Sequence, residues 1–218
     1  PVLVGGTMLY LRAFRQGLAD LPTANASLRA ELAADAEARG WPALHAELQR
    51  VDPDAASGIH PNNLQRLQRA LEVYRLTGRP ISAFWREQKD ASVGRRLGAQ
   101  LHVVGLLPES RSTLHQHIAA RFSAMLSSGL IDEVQALRQR GDLHLGLPAM
   151  RAVGYRQTWE YLDGAYDYAQ LLQRGAAATR QLAKRQLTWL RGWDWVQSCV
   201  ASGPDVVTRA VNVVLPGV

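Results

Sequence analysis

The chain has 218 residues, 47% of them hydrophobic, with a formal net charge of +6 and a sequence pI of about 10.0. That length allows one or two domains with a substantial core, and the positive excess favours an anionic partner, either nucleic acid or a phosphorylated substrate. The lone Cys199 excludes an internal disulfide and a multi-cysteine zinc site and fits a reducing, cytoplasmic compartment; no apolar run approaches the roughly 20 residues that cross a bilayer.

Pro1 to Val4 is predicted as a short buried strand, Gly5-Gly6-Thr7 as a tight turn, and Met8 to Gln16 as a helix stopped by Gly17. Strand, glycine turn and helix form the half-unit of an α/β fold. Free N–H groups at that helix start can receive an anion, with the Thr7 hydroxyl beside them; Thr7 can equally serve only as a cap. The opening P-V-L-V-G-G lacks the charged start of a signal peptide and reads as a chain entered in the middle of a domain.

Composition changes at Leu21-Pro22-Thr23, and from Ala26 to about Trp85 the pattern is mostly helical. Ser27–Arg39 and Pro42–Arg50 are rich in good helix formers. A turn at Asp52-Pro53 leads to a short helical piece, Asp54–Ile59, and a break at His60-Pro61-Asn62-Asn63 with good cap chemistry. In Leu64–Thr77, Leu64, Leu67, Leu71 and Tyr74 recur at helical spacing, and Gly78 with Pro80 ends the run. The polar, basic stretch Arg86–Gly98 reads as a connector. Leu101–Leu107, apolar and bounded by Pro108, is predicted as a buried strand. A helical block between two strands gives the expected architecture: an α/β core from residues 1–21 and 101–218, with an all-α insertion at 22–100.

Beyond it, Ser110 or Ser112 can cap a helix that runs to Ser127 and ends at Gly129, and Ile131–Arg140 is another. Tyr168–Arg191 is predicted as one long helix with Gly175 as its weak point. Val206–Val214 fits a helix or a strand. On a helical wheel Arg180, Lys184 and Arg191 fall together, and Thr188, Gln181 and Arg185 continue the polar arc. Leu182, Ala183, Trp189 and Leu190 face the other way, with Leu187 at the border. No carboxylate neutralises these cations. The face suits phosphates and base edges; it can also be an ordinary solvated helix face.

There is no complete G-x-x-x-x-G-K-[ST], no H-E-x-x-H and no G-x-S-x-G. His115 and His117 point in different directions on a helix, and His60 and His102 read as packing or capping residues, so no metal ligands are assigned in this chain. Three basic constellations remain: Gln65, Arg66, Leu67, Gln68 and Arg69; Arg151, Ala152, Val153, Gly154, Tyr155 and Arg156; and Lys184, Arg185, Gln186, Leu187, Thr188, Trp189, Leu190 and Arg191. Gly154 can allow close backbone approach, and Tyr155 offers a ring for stacking. Basic side chains interleaved with aromatics suit looped or single-stranded RNA. Arg121, in A-R-F-S-A-M, belongs to the core by its place after the second strand; spacing alone gives it no role.

G-G-T-M-L-Y, I-H-P-N-N-x-Q-R-L-x-R-A-L-E-V, V-G-Y-R-Q and T-R-Q-L-A-K-R-Q-x-T-W-L-R together closely resemble the tRNA dimethylallyltransferase (tRNA isopentenyltransferase) family, in order and over nearly the whole chain. The resemblance implies a P-loop-kinase-like parallel-sheet core with a helical insertion that grips the anticodon arm. It also implies transfer of a dimethylallyl group from dimethylallyl diphosphate to N6 of adenine 37 in tRNA, with Mg²⁺ as cofactor, in a cytoplasmic monomer. Thr7 then matches a threonine near the reacting adenine, and Arg121 an arginine that binds the diphosphate. The three basic constellations match segments that contact tRNA, with Arg29 a weaker match. The family's phosphate loop and aspartate general base precede the G-G-T turn, so the N-terminal part of the core is expected to be missing and this piece alone inactive. Two other classes stay open: an RNA-binding module without catalysis, and a P-loop nucleotide or small-molecule kinase.

Overall fold

A computed structural model of the chain describes residues 2–88 and 93–214. Pro1, from the predicted first strand, and 89–92, from the predicted connector, lie outside the described residues. The protein is mostly helical with a two-stranded parallel sheet, and it divides into two compact units, Leu9–Gln100 and Pro1–Met8 with Leu101–Val218.

Helix α1 (Met8–Gln16) follows the glycine turn. The helical unit continues with α2 (Ala26–Arg39), α3 (Trp41–Val51), α4 (Pro53–Gly58), α5 (Leu64–Thr77), α6 (Ile81–Glu87) and α7 (Val93–Leu97). Its boundaries follow from cap chemistry. Asn25 accepts from the Leu28 N–H at 3.0 Å, and the buried Asp52 accepts from the Ala55 N–H at 3.0 Å and the Ser82 N–H at 2.9 Å, so one carboxylate secures the starts of α4 and α6. Gly78 closes α5 in the left-handed region, φ +69°. Leu32, Leu44, Leu48, Leu67, Leu71 and Ile81 form the core.

The second unit contains β1 (Val104–Leu107), α8 (Arg111–Ser127), α9 (Leu130–Gln139), α10 (Tyr155–Leu162), α11 (Tyr168–Arg191), β2 (Gln197–Val200) and α12 (Val206–Val214). Ser110 caps α8 by accepting from the Thr113 N–H, and Asp167 caps α11 by accepting from Gln170. β1 and β2 run parallel, Val104 opposite Gln197 through Leu107 opposite Val200, and α12 packs against both. Phe122, Leu126, Leu130, Val134 and Leu171 form this unit's core.

Three expectations are corrected. Residues 2–7 form no strand, and Val2 and Val4 are 89% and 95% exposed: a strand persists only against a partner, and among the described residues none pairs with it. The second predicted strand shrinks from Leu101–Leu107 to Val104–Leu107 because β2 spans only four residues, and Leu106 stays exposed. Gly175 is no weak point. It is buried mid-helix where a Cβ would fall 2.0 Å from Phe122 Cε1, so its missing side chain lets α8 close onto α11.

Candidate functional site

Helix α11 is the spine of the second unit, and three docking points fix it. Phe122 of α8 lies on Gly175. Gln186 Nε2 donates to the Gly6 carbonyl at 2.9 Å. Leu190 sits under β1, where a Cβ on Gly105 would lie 3.4 Å from Leu190 Cδ2. Gly175 and Gln186 are eleven residues apart, which is close to three full turns and about 16 Å along the axis. They therefore share one face, and Leu190 lies about 60° round from it.

The cations lie opposite. Measured from Gly175 at 100° per residue, Arg180, Lys184 and Arg191 fall between about 140° and 180°, with Thr188 and Gln181 just beyond and Arg185 further round. Gln181, Lys184, Arg185, Thr188 and Trp189 line one shallow open depression. No ion pair engages Arg180, Lys184, Arg185 or Arg191 among the described residues. Trp189 extends the surface: its ring meets Trp193 edge to face at 5.6 Å, and Trp193 stacks on Trp195 at 4.4 Å. A row of rings beside cations can stack bases and hold phosphates. Leu182, expected on the covered face, is 36% exposed; it lies between the Phe122 and Gly6 docking points, where nothing covers it fully. Leu187 is half-buried, as the border position implies.

Thr7 and Arg121 lie in this unit by separate attachments. Thr7 follows the carbonyl held by Gln186 and is exposed at the start of α1. Arg121 is exposed on α8, one residue before the Phe122 that packs on Gly175, and has no ion-pair partner among the described residues.

The second basic constellation is largely engaged within the fold. Arg151 donates to the Gly146 carbonyl at 3.1 Å, and Arg156 pairs with Glu160 at 2.8 Å. The Tyr155 hydroxyl donates to Glu133, and that hydrogen bond, then burial, raises its pKa. Its ring belongs to the α8–α9–α10 cluster instead of standing free to stack. Gly154 starts α10 at φ +100°, a conformation that requires glycine, and Phe122 and Met125 pack beside it, so backbone geometry rather than ligand approach explains the residue. Ala152 is exposed and Val153 half-buried.

The first constellation lies on α5, in the helical unit. Gln65 and Arg66 are exposed, but Leu67 is wholly buried and can act only through packing. Gln68 donates to the Arg29 carbonyl at 3.1 Å. Arg29 and Arg69 converge on Glu72, whose side chain is fully buried: Arg29 Nε and Nη2 donate at 2.9 and 3.1 Å, Arg69 Nη1 at 2.6 Å, and the Asn25 N–H at 2.8 Å. Burial alone would raise the Glu72 pKa; the bonds from Arg29, Arg69 and Asn25 outweigh it and hold the value at about 2. Glu72 is the residue that sequence reasoning missed. Its signal was a carboxylate among Ala70, Leu71 and Val73, where an unpaired charge could not be buried.

A family model described as IPP transferase matches residues 1–193. The chain belongs to that family, the tRNA isopentenyltransferases. It is 56% identical over 217 residues to proteins named tRNA dimethylallyltransferase from Burkholderia mallei (strain SAVP1) and Burkholderia pseudomallei (strain 668), covering 97% of this chain and 65% of each relative. The chain thus spans just under two thirds of those relatives' length. Among solved structures, a full-length tRNA isopentenylpyrophosphate transferase from Bacillus halodurans superposes with a TM-score of 0.55 at 32% identity, covering 96% of this chain and 63% of that one. A eukaryotic dimethylallyltransferase acting on tRNA shares the fold, with a TM-score of 0.69 at 23% identity over 97% of this chain and 55% of that one.

Proposed function

We propose that the protein transfers a dimethylallyl group from dimethylallyl diphosphate to N6 of adenine 37 in tRNA, within a P-loop-kinase-like core. The helical unit, Leu9–Gln100, grips the anticodon arm, and the protein works as a cytoplasmic monomer. The observation that carries this reading is the cationic side of α11, free of carboxylates and turned away from the face on which α8 and the Gly6 turn dock. Family membership and the names of the relatives support the same chemistry.

The exocyclic amine of adenine is a weak nucleophile, because its lone pair is delocalised into the ring. The reaction needs an electrophile that ionises readily and a splayed base held against it. An allylic diphosphate meets the first need: its C–O bond breaks as the N6–C bond forms, diphosphate departs with the bonding electrons, and N6 gives its proton to a general base, the aspartate that the family resemblance places before the Gly5-Gly6-Thr7 turn. Arg121 offers a planar fork to the departing charge. Thr7 places the N6 group. Lys184, Arg185 and Arg191 hold the RNA backbone, with Trp189 beside them; Arg66 and Gln65 do the same from the helical unit. Arg29, partly exposed, meets RNA only with the guanidinium edge that Glu72 leaves free, and Arg69 is engaged further, by Glu72 and by the Pro22 carbonyl at 2.6 Å.

Mg²⁺ is the ion expected with a diphosphate, where it would be held mostly by phosphate oxygens and water with one or two carboxylates; among the described residues no three His, Cys, Asp or Glu side chains come together. The roles of Thr7 and Arg121 are derived without it. Among the described residues no helix is long and apolar enough to cross a membrane.

Replacing Lys184 and Arg185 together by Ala in the full-length protein tests the reading. Affinity for tRNA should fall, and the slope of log affinity against log salt should flatten by about 1 per phosphate contact removed. An unchanged slope, or phosphoryl transfer from ATP to a small molecule with no RNA required, would overturn it.

A further inference from the structure

We propose that Gln186 is a positioning residue for the reacting turn rather than a contact to tRNA. The inference rests on the functional reading of Thr7 given above and goes beyond it. Gln186 stands in the middle of K-R-Q-L-T-W-L-R, yet the helix turns it away from the cations: Lys184 lies about 160° round the wheel from it and Arg185 about 100°. Its amide is engaged on the other side, donating to the Gly6 carbonyl at 2.9 Å across 180 residues of chain.

The approach is close. A Cβ on Gly6 would fall 2.4 Å from Gln186 Nε2, the end of a flexible side chain, so an added methyl would push the amide off this carbonyl. Among the described residues no strand partner or ion pair holds the segment: residues 2–7 form no strand, and Val2, Leu3 and Val4 are exposed. A carbonyl one residue before Thr7, tied to α11, limits where the threonine hydroxyl stands. The same helix carries the cations on its far side. Gln186 therefore links the surface that receives RNA to the turn that meets the reacting base.

The chemistry of the side chain is specific. The acceptor is a carbonyl, so the partner must donate. Gln186→Glu keeps size and shape but sets an acceptor against an acceptor. Gln186→Asn keeps the donor but is one methylene short.

The test is steady-state kinetics of prenyl transfer by the full-length protein, together with tRNA affinity. Gln186→Ala and Gln186→Glu should lower kcat by between about tenfold and a hundredfold, the cost of a displaced reacting group, with KM and Kd for tRNA within about twofold of wild type. Lys184→Ala should do the reverse. Gly6→Ala should reproduce the Gln186→Ala loss, and the double variant should be no worse than either single one, because both break the same contact. A rise in KM or Kd with kcat unchanged would make Gln186 a tRNA contact and overturn the proposal, as would strictly additive losses.

A second readout needs no substrate. Backbone hydrogen exchange over residues 2–10 should speed up in Gln186→Ala and stay unchanged in Lys184→Ala. If wild type transfers nothing to tRNA, the functional reading fails while the exchange result still decides whether Gln186 holds the turn. Unchanged exchange in Gln186→Ala would sink the link itself.

Discussion

Glu72→Gln is the most informative perturbation of the helical unit. The carboxylate has no solvent exposure, whereas Arg29 and Arg69 keep 46% and 26% of theirs. Four donor bonds reach it, three from guanidinium nitrogens (Arg29 Nε and Nη2, Arg69 Nη1) and one from the Asn25 backbone N–H. Asn25 also caps α2, so the carboxylate ties the start of α2 to the middle of α5. The drop from 4.5 to about 2 corresponds to about 3 kcal/mol of preference for the ionised form. Glutamine keeps the shape but turns an NH₂ toward donors. The arginines can swing partly into water, which softens the loss below the range typical of a broken, fully buried pair.

We expect Glu72→Gln to cost about 2–3 kcal/mol at pH 7, read by urea unfolding with tryptophan fluorescence. The sign with pH follows from the lowered pKa. The contribution is fully present above the unfolded value near 4.5 and is lost as pH falls toward about 2. The gap between wild type and variant should therefore stay constant from pH 7 to about 5 and narrow below that. A gap under about 0.5 kcal/mol at pH 7, the range of an ordinary surface change, would refute the reasoning. So would a gap that keeps its full size at pH 3.

Gly175→Ala should destabilise by about 1–3 kcal/mol in thermal or urea unfolding, because the new methyl meets the Phe122 ring; combining it with Phe122→Leu should recover part of that loss. Arg121→Ala should leave unfolding unchanged, since the side chain is exposed, while prenyl transfer falls by about 10²–10³, the scale of a lost donor to developing charge. Tyr166 donates to the Gln157 carbonyl at 2.5 Å, and burial, then Glu160, pushes its pKa to about 12. Its contribution should hold up to about pH 10 and fade as pH rises toward 12, an alkaline loss that Tyr166→Phe should lack in a pH series of melting temperatures.

Helices were legible where periodicity and caps agreed. Leu64–Thr77 and Tyr168–Arg191 run between the residues expected, because Asn63 and Asp167 cap their starts and glycines follow their ends. The sheet was not legible. β2 is Q-S-C-V, with no apolar alternation, and it pairs with β1 across about ninety residues; no local pattern reports a partner that far away. Gly175 was misjudged because propensity sees only a missing side chain, whereas the reason for it is a ring on another helix. Charge patterning located the basic constellations but could not say which cations were engaged. Arg69 meets Glu72 on its own helix, but Arg29 reaches that carboxylate across 43 positions, and Tyr155 meets Glu133 across 22.

That contrast bears on what the unpaired cations are for. In the helical unit Arg29, Arg39, Arg69, Arg75, Arg79 and Arg86 each meet a carboxylate, as expected of side chains that hold helices together. On α11, Arg180 and Lys184 stand at i and i+4, a like-charged pair that costs a helix about 0.2–0.5 kcal/mol, and no carboxylate on Thr179–Arg191 relieves it. The half of α11 beyond Ala176 also has no buried residue, so packing there rests on Gln186 and Leu190 rather than on a core. A segment so placed is locally weak and electrostatically strained, and an anion laid along it removes the strain. Phosphate binding should therefore protect the amides of the C-terminal half of α11 from hydrogen exchange more than those around Leu171, whose surroundings are already closed.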